Sequence, residues 1–596
     1  MLCASFPRQV LSSDSECQVD KQAARVAFNI LKNEVPESVF MKLSEALRAS
    51  ATAAVRMADQ FTARKLNGIV ILYQCHDTFL PELCELFAAL DVIWQDLALQ
   101  QIIEQLDTTD MTSQQTFETF LESLHSLIHT KLSARNTEDK KNSVYQDTVV
   151  INAIKTMAIL NRINGRFNYV PYTQFYNAKV NEHVDIKIDL PNHKERKGFA
   201  FCDYPFILNT TVKADILRVE SVFQMRHELQ DAFFRALFEG VNSPYLVLSI
   251  RRSRLIADTL YHLERSTIHD LKKQLRVQFV GEDGVDEGGV QKEFFHLVIR
   301  ELFDPKYGMF MMNEETRLFW FSPDVAQEGS NYAEYKLAGL LLGLAVYNAV
   351  VLDLHMPLAL YKKLMGYSVG FEDLQELDPS LSRGLKQLLN FDGDVASEFE
   401  RTFQVDIRLY DKVVSIDLVR DGSKIYLNND NRKEFVELYA NFILNKSVEK
   451  QFNAFAEGFQ LLCQDSAINM FRPEELQQLL CGSSDLDFYA LEKATVYDGG
   501  WTRDSPVIKY FWEIVHEFSY EEKKKLLFFA TGSDRAPIGG LGRLQFVIAK
   551  NGADSERLPT SHTCYNVLLL SEYNSKEKLR ERLLTSISNA EGFGMI

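Results

Sequence analysis

A cysteine flanked by small polar groups stands near the end of the chain, at Ser561-His562-Thr563-Cys564-Tyr565-Asn566, just before the apolar run Val567 to Leu570. The pattern predicts a loop that delivers a thiol at the mouth of a β-strand. A thiol that is partly thiolate is a nucleophile, and a neighbouring imidazole can tune it. His562 and Thr563 are near enough in sequence to act on Cys564, but residues two apart share a face only where the backbone stays extended. On this local pattern alone the side chain also fits, and more commonly is, a small buried apolar residue.

Other groups invite chemistry and lose it on inspection. The Gly-rich run Gly281 to Gly289 lies between a predicted strand and a predicted helix. It lacks the Lys-Ser/Thr of a phosphate loop, and Glu282, Asp283, Asp286 and Glu287 would repel phosphate. Nor do these acids fit a calcium loop, so the glycines are read as a tight turn. The eight cysteines form no C-x-x-C pair and no zinc spacing, so no metal centre is expected. Phe435 and Tyr439 stand four apart on one face of a helix, as core packing would also place them.

The chain of 596 residues is long enough for several lobes; 46% of it is apolar and 25% charged, as in ordinary soluble proteins. Its net charge of −17 argues against nonspecific binding to nucleic acid or anionic membrane. Thinly scattered cysteines and a start without a secretory pattern predict an intracellular protein, cytoplasmic with the nucleus left open. The most apolar stretch, Leu337 to Leu352, is too short to span a bilayer and reads as a buried helix.

The elements that must position Cys564 follow from periodicity. Residues 21–132 read as helices, with Pro36 and Pro81 as starts or breaks, and 133–142 as a polar linker. A helix is expected over 146–160. Val184 to Ile188 alternates and predicts a strand, and a long helix then runs through Phe223 and Phe234 toward Pro244. Beyond Tyr245 the chain is mixed, with helices over 334–365, 431–462 and 473–480. Gly482-Ser483-Ser484-Asp485 then reads as a short hinge or an ordinary helix-ending loop. A compact final segment follows: helices through Ile508 to Val515 and Glu521 to Phe529, a strand on Leu544, Phe546 and Ile548, and a last helix capped by Ser575.

Several of these runs are recognisable together. FVGEDGVDEGGVQKEFF (279–295), ELFDPKYGMF (301–310), NRKEFVELY (431–439), FRPEELQQLLCGS (471–483), TGSDRAPIGGLG (531–542), LPTSHTCYNVLLL (558–570) and GFGMI (592–596) resemble the HECT family of ubiquitin-protein ligases, in the family's order. The nearest subgroup by these runs is that of the Angelman-syndrome ligase and its HECT-only relatives, and 168–244 resembles the segment preceding the domain there. The resemblance implies an α+β fold: a mainly helical amino-terminal region, then a bilobal domain with a large, mostly helical lobe and a small α/β lobe. In residue numbers this gives a helical region at 1–167 and an extension at 168–244. The large lobe is then 245–481, the hinge 482–485 and the small lobe 486–596.

The resemblance also implies roles. Cys564 is the nucleophile that carries ubiquitin as a thioester, with His562 and Thr563 beside it and Phe593 in the tail supporting transfer. Phe435 and Tyr439, with Leu385 and Leu389, line the groove for the conjugating enzyme, and Gly482, Ser483, Ser484 and Asp485 form the hinge. The partners are ubiquitin, a ubiquitin-conjugating enzyme and protein substrates, with no cofactor. Two other readings stand beside this one, a thiol hydrolase acting on ubiquitin conjugates and a noncatalytic adaptor of the ubiquitin pathway. Residues 1–167 resemble no recruiting module.

Overall fold

The structure is a computed structural model. It describes residues 76–89, 113–134, 144–239, 243–282, 289–323, 332–409, 412–464, 466–483, 485–563 and 565–589, with scattered residues between 26 and 46. The chain forms two compact units, Met1–Lys213 and Ala214–Ile596.

In the first unit the helices α1 (His76–Ala89), α2 (Ser113–Ser133) and α3 (Thr148–Phe167) pack together. Asp147 starts α3 by accepting from the amides of Val149 and Val150, and Asn168, in the left-handed region at φ 52°, ends it. The helix therefore runs seven residues past the expected end at 160. Pro81 lies inside α1 rather than at its start. Pro36 does break the chain, between helical residues at 33–34 and 37–39. The linker expected at 133–142 falls almost wholly outside the described residues.

The strand expected at 184–188 is absent. Val184 closes the short helix α4 (Ala178–His183), and Asp185 caps the next, α5 (Ile186–Glu195), by accepting from the amide of Lys187. Five alternating residues are also one and a half helical turns, and a capping carboxylate decides between the two. Residues after 168 pack with the helices before it. The Asn164 side chain exchanges hydrogen bonds with the backbone of Val170, and the Phe117 ring meets Tyr169 and Phe175.

The boundary between the units falls within α6 (Thr210–Glu239), which ends five residues before Pro244. The second unit opens with a parallel pair, β1 (Tyr245–Ile250) and β2 (Gln274–Phe279), flanked by α7 (Leu255–Glu264) and α8 (Gly289–Leu302). Gly281, at φ 91°, makes the turn expected there; 283–288 lie outside the described residues. A small hairpin of β3 (Phe310–Met312) and β4 (Phe319–Phe321) leads to α9 (Ala333–Tyr347), the apolar stretch, buried as expected from Leu337 to Val346. The helices expected over 334–365 are α9 and α10 (Leu358–Leu364), with the chain leaving the first at Asn348. Next come α11 (Phe371–Leu377), α12 (Pro379–Leu389) and the antiparallel pair β5 (Gln404–Leu409) and β6 (Lys412–Asp417). The helices expected over 431–462 are α13 (Arg432–Leu444) and α14 (Glu449–Cys463), parted at Asn445, and α15 (Pro473–Cys481) closes the lobe.

The centre of this lobe is the contact of α9 with α14. A Cβ on Gly339 would sit 1.8 Å from the carbonyl oxygen of Phe455, and one on Gly458 would sit 1.9 Å from that of Lys336. The two backbones touch because neither glycine carries a side chain.

The final lobe holds α16 (Phe488–Ala494), β7 (Val496–Asp498), α17 (Pro506–Glu517), α18 (Tyr520–Thr531), β8 (Val547–Lys550), β9 (Thr560–His562), β10 (Val567–Leu570) and α19 (Lys576–Ser588). Its four strands lie in the order β7-β8-β10-β9, with β10 parallel to β8 and antiparallel to β9. Phe511, Trp512, Leu526, Leu568, Leu570, Leu579 and Leu583 fill its core. Ser575 caps α19 as expected, accepting from the amide of Lys578. The strand expected on Leu544, Phe546 and Ile548 begins only at Val547, since Leu544 ends a 3-10 turn.

Candidate active site

The thiol loop is built by the register of two strands. His562 in edge strand β9 pairs with Val567 in β10, so the four residues between them must reverse the chain. The Tyr565 amide donates to the His562 carbonyl at 3.1 Å and the Asn566 amide to that of Thr563 at 3.4 Å. Asn566 has φ 52°, and its carbonyl accepts from the Val547 amide on β8. Cys564 itself lies outside the described residues, as do Ser484 and Phe593. On either side of it Thr563 is buried and Tyr565 exposed. His562 is exposed on the strand edge.

The other described cysteines are unlike a nucleophile. Cys84, Cys202, Cys463 and Cys481 are buried, with no disulfide among them. Burial pushes the Cys84 thiol up to about 12, that of Cys481 up to about 11, and that of Cys463 higher still. Such thiols stay protonated and inert.

Residues near the turn look across a cleft of about 560 Å³ between the two lobes of the second unit. Lys292, His296, Arg300 and Asp353 line one wall; Lys524, Phe528 and Asn566 line the other. The His296 ring lies 5.4 Å from that of Phe528, and burial, aided by Arg300, holds its imidazole below the ordinary histidine range. Lys292 donates to the Thr531 carbonyl at 3.3 Å. Arg535 donates to Nε2 of His355 at 3.0 Å.

The expected hinge begins where α15 ends. Gly482 has φ 66° and ψ −171°, a combination open essentially to glycine alone. Ser483 then forms a two-bond bridge with Ala536 of the small lobe, at 2.8 and 2.9 Å. The Asp485 amide donates to the Ser483 hydroxyl at 3.0 Å. The connection is thus tied across at one residue in this arrangement.

The four groove residues come together on α12 and α13, which pack against each other. They differ in access. Phe435 is only 2% exposed, its ring set between Phe403 and Tyr439 at 5.5 and 5.7 Å, and Leu385 is also buried. Tyr439 is half-buried, and burial raises its hydroxyl pKa. Leu389 is half-exposed and borders a surface depression with Phe371, Lys433 and Val436. Phe435 is therefore a core residue.

Three residues of this site escaped the sequence. Arg432 donates to the carbonyls of Leu388 and Phe391 and so locks α13 to the end of α12. Ala536 pairs with Ser483, and Asn566 closes the thiol turn. Only Asn566 carried a signal, because asparagine before a strand tolerates the left-handed region.

Residues 296–596, just over half of the chain, match the family model described as HECT-domain (ubiquitin-transferase). The chain is 40% identical over 506 residues to the human probable E3 ubiquitin-protein ligase HECTD2, a match covering 81% of this chain and 64% of the relative. It is 39% identical over 469 residues to the human probable E3 ubiquitin-protein ligase HERC4, covering 74% and 44%. With the probable E3 ubiquitin-protein ligase mug30 of Schizosaccharomyces pombe it is 32% identical over 502 residues, covering 79% and 62%. The chain spans less than two thirds of the length of each of these relatives. An 81% share exceeds what residues 296–596 hold, so the likeness continues into the region before residue 296. On the family match and these identities, the chain belongs to the HECT-domain family of ubiquitin-transferases.

Proposed function

We propose that this protein is a HECT-type ubiquitin-protein ligase that accepts ubiquitin from a conjugating enzyme as a thioester on Cys564 and passes it to substrate lysines. The observation that carries the reading is the family match over 296–596, with a cysteine at 564 between β9 and β10 in sequence. In the first step the Cys564 thiolate attacks the carbonyl carbon of the incoming thioester. One C–S bond forms, another breaks, and the conjugating enzyme's sulfur leaves with the electron pair. One thioester replaces another, so placement of the reactants is the main demand, and placement can supply on the order of 7 kcal/mol or more.

The groove formed by Leu385, Leu389, Phe435 and Tyr439 receives the conjugating enzyme, with Leu389 and Tyr439 as its accessible part. Residues 482–485 let one thiol meet two partners in turn, with Gly482 as the pivot, and Phe593 supports the lysine step. In this reading His562, exposed on an edge strand two residues before Cys564 in sequence, tunes the thiol. The residue runs 558–570 and 592–596 support the finer kinship with the Angelman-syndrome ligase, and sparse cysteines support a cytoplasmic site of action.

The test is direct. The chain is incubated with a broad panel of charged conjugating enzymes, and a ubiquitin adduct that reducing agent removes is expected. No adduct with any of them, or an adduct that survives Cys564→Ala, would overturn the reading.

A further inference from the structure

Asn566 closes the thiol turn, yet its side chain and its position have features that loop closure does not require. Its backbone is left-handed at φ 52°, and no other non-glycine residue described after Gly482 has a positive φ. Glycine would serve that conformation with less strain, so the side chain needs its own reason. Its Nδ2 makes one long bond, 3.4 Å to the Gln545 carbonyl. Its Oδ1 is buried and has no hydrogen-bond partner. Buried acceptors without partners are rare, and each calls for an explanation. The residue also lines the cleft between the lobes, two positions after Cys564.

We infer that Asn566 orients the attacking amine: its Oδ1 accepts an N–H of the substrate lysine as that amine approaches the thioester on Cys564. The inference rests on the transfer reading above and adds a residue to its second step. In that step the lysine nitrogen attacks the carbonyl carbon, the C–N bond forms and the C–S bond breaks. The Cys564 sulfur leaves with the electron pair and takes up the proton the amine gives up. An amide oxygen is too weak a base to remove that proton, so its part is to aim the nitrogen lone pair. The cleft wall across from it carries Lys292 and Arg300 against Glu293 and Asp353, so its fixed charges balance. Asn566 adds a neutral acceptor on the small lobe.

Loading and discharge separate this role from a structural one. The full chain is loaded with whichever conjugating enzyme of a panel charges the wild type fastest, then chased with free lysine. Asn566→Gly keeps the left-handed turn and removes the acceptor. It is expected to load Cys564 within about twofold of wild type and to discharge to lysine about tenfold or more slowly. Asn566→Asp keeps an acceptor in place and is expected to restore most of the discharge rate. Normal discharge by the glycine variant, a parallel fall in loading and discharge, or an aspartate variant as slow as the glycine one would each overturn the inference. A wild type that never loads would instead overturn the transfer reading and this one with it.

Discussion

The contact of α9 with α14 and the joint between the two lobes hold the same unit together by opposite means. In the first, backbones touch through Gly339 and Gly458 with no side chain between them. In the second, one β-bridge at Ser483 and Ala536 is joined by side-chain bonds from Lys292 and Arg535, while Arg543 of the small lobe reaches α6. Close apolar packing is unforgiving of any change in volume. A few half-exposed polar bonds contribute little and can exchange for water. The interior that must stay fixed is packed backbone to backbone, and the joint a relay would need to open is held lightly.

The largest effect expected from this contrast is at Gly458. Gly458→Ala would drive a methyl group against the Lys336 carbonyl oxygen and to 2.8 Å from the Leu340 nitrogen. Backbone cannot step aside, so a loss of about 3 kcal/mol or more is expected. Gly542→Ala in the small lobe meets only Ala490, its methyl at 3.4 Å and its carbonyl oxygen at 3.7 Å, and should change stability by less than about 1 kcal/mol. Thermal melts of the two variants check the pair. Equal losses would break the contrast.

The groove is next. Phe435→Ala should cost about 3 kcal/mol or more in stability, because the ring is buried against Phe403. It cannot by itself report on the conjugating enzyme. Leu389→Ala, at a half-exposed position, should leave the melting temperature nearly unchanged while weakening conjugating-enzyme binding by about 1 to 2 kcal/mol. Calorimetric titration against melting separates the two outcomes. Unaltered binding with Leu389→Ala would move the groove elsewhere on the lobe.

These two sites also show what the sequence could carry. Helical spacing put Phe435 and Tyr439 on one face, and the apolar run at 567–570 became β10, because period and run length are local properties. Depth is not local, so no spacing separated the buried Phe435 from the more accessible Leu389. The segment 184–188 misled for a related reason: its alternation is real, but the Asp185 side chain gives the backbone a helix start that outweighs it. The bridge of Ser483 to Ala536 joins residues 53 apart with no residue-type signature, since backbone atoms alone make it. The short motif around Cys564 was legible, while the conformation of Asn566 and its unpaired oxygen needed coordinates.

A smaller effect is expected at His296, where the lobes face each other. Burial holds its folded pKa below the ordinary value near 6.5, so the unfolded chain binds the extra proton first. Stability from this group is complete above about pH 6.5 and is lost as the pH falls toward the lowered pKa. Protonation would set a charge beside Arg300 and the Phe528 ring. His296→Gln should flatten the acid side of the melting profile relative to wild type, whatever it does to the plateau. An unchanged slope would mean that the imidazole is solvated where the lobes meet.

The smallest effect is expected at Arg543, which reaches Asp215 on α6 at 3.2 Å. Both side chains are about half exposed, at 53% and 46%, so water screens the pair and each pays rotamer entropy to meet the other. Arg543→Ala should therefore shift stability by less than about 0.5 kcal/mol, and 1 M salt should leave the wild type and variant alike. A loss several times larger, removed by salt, would make a single exposed pair a real clamp on the small lobe. The joint would then be held by charge as firmly as the helix pair is by packing, and opening it would depend on ionic strength.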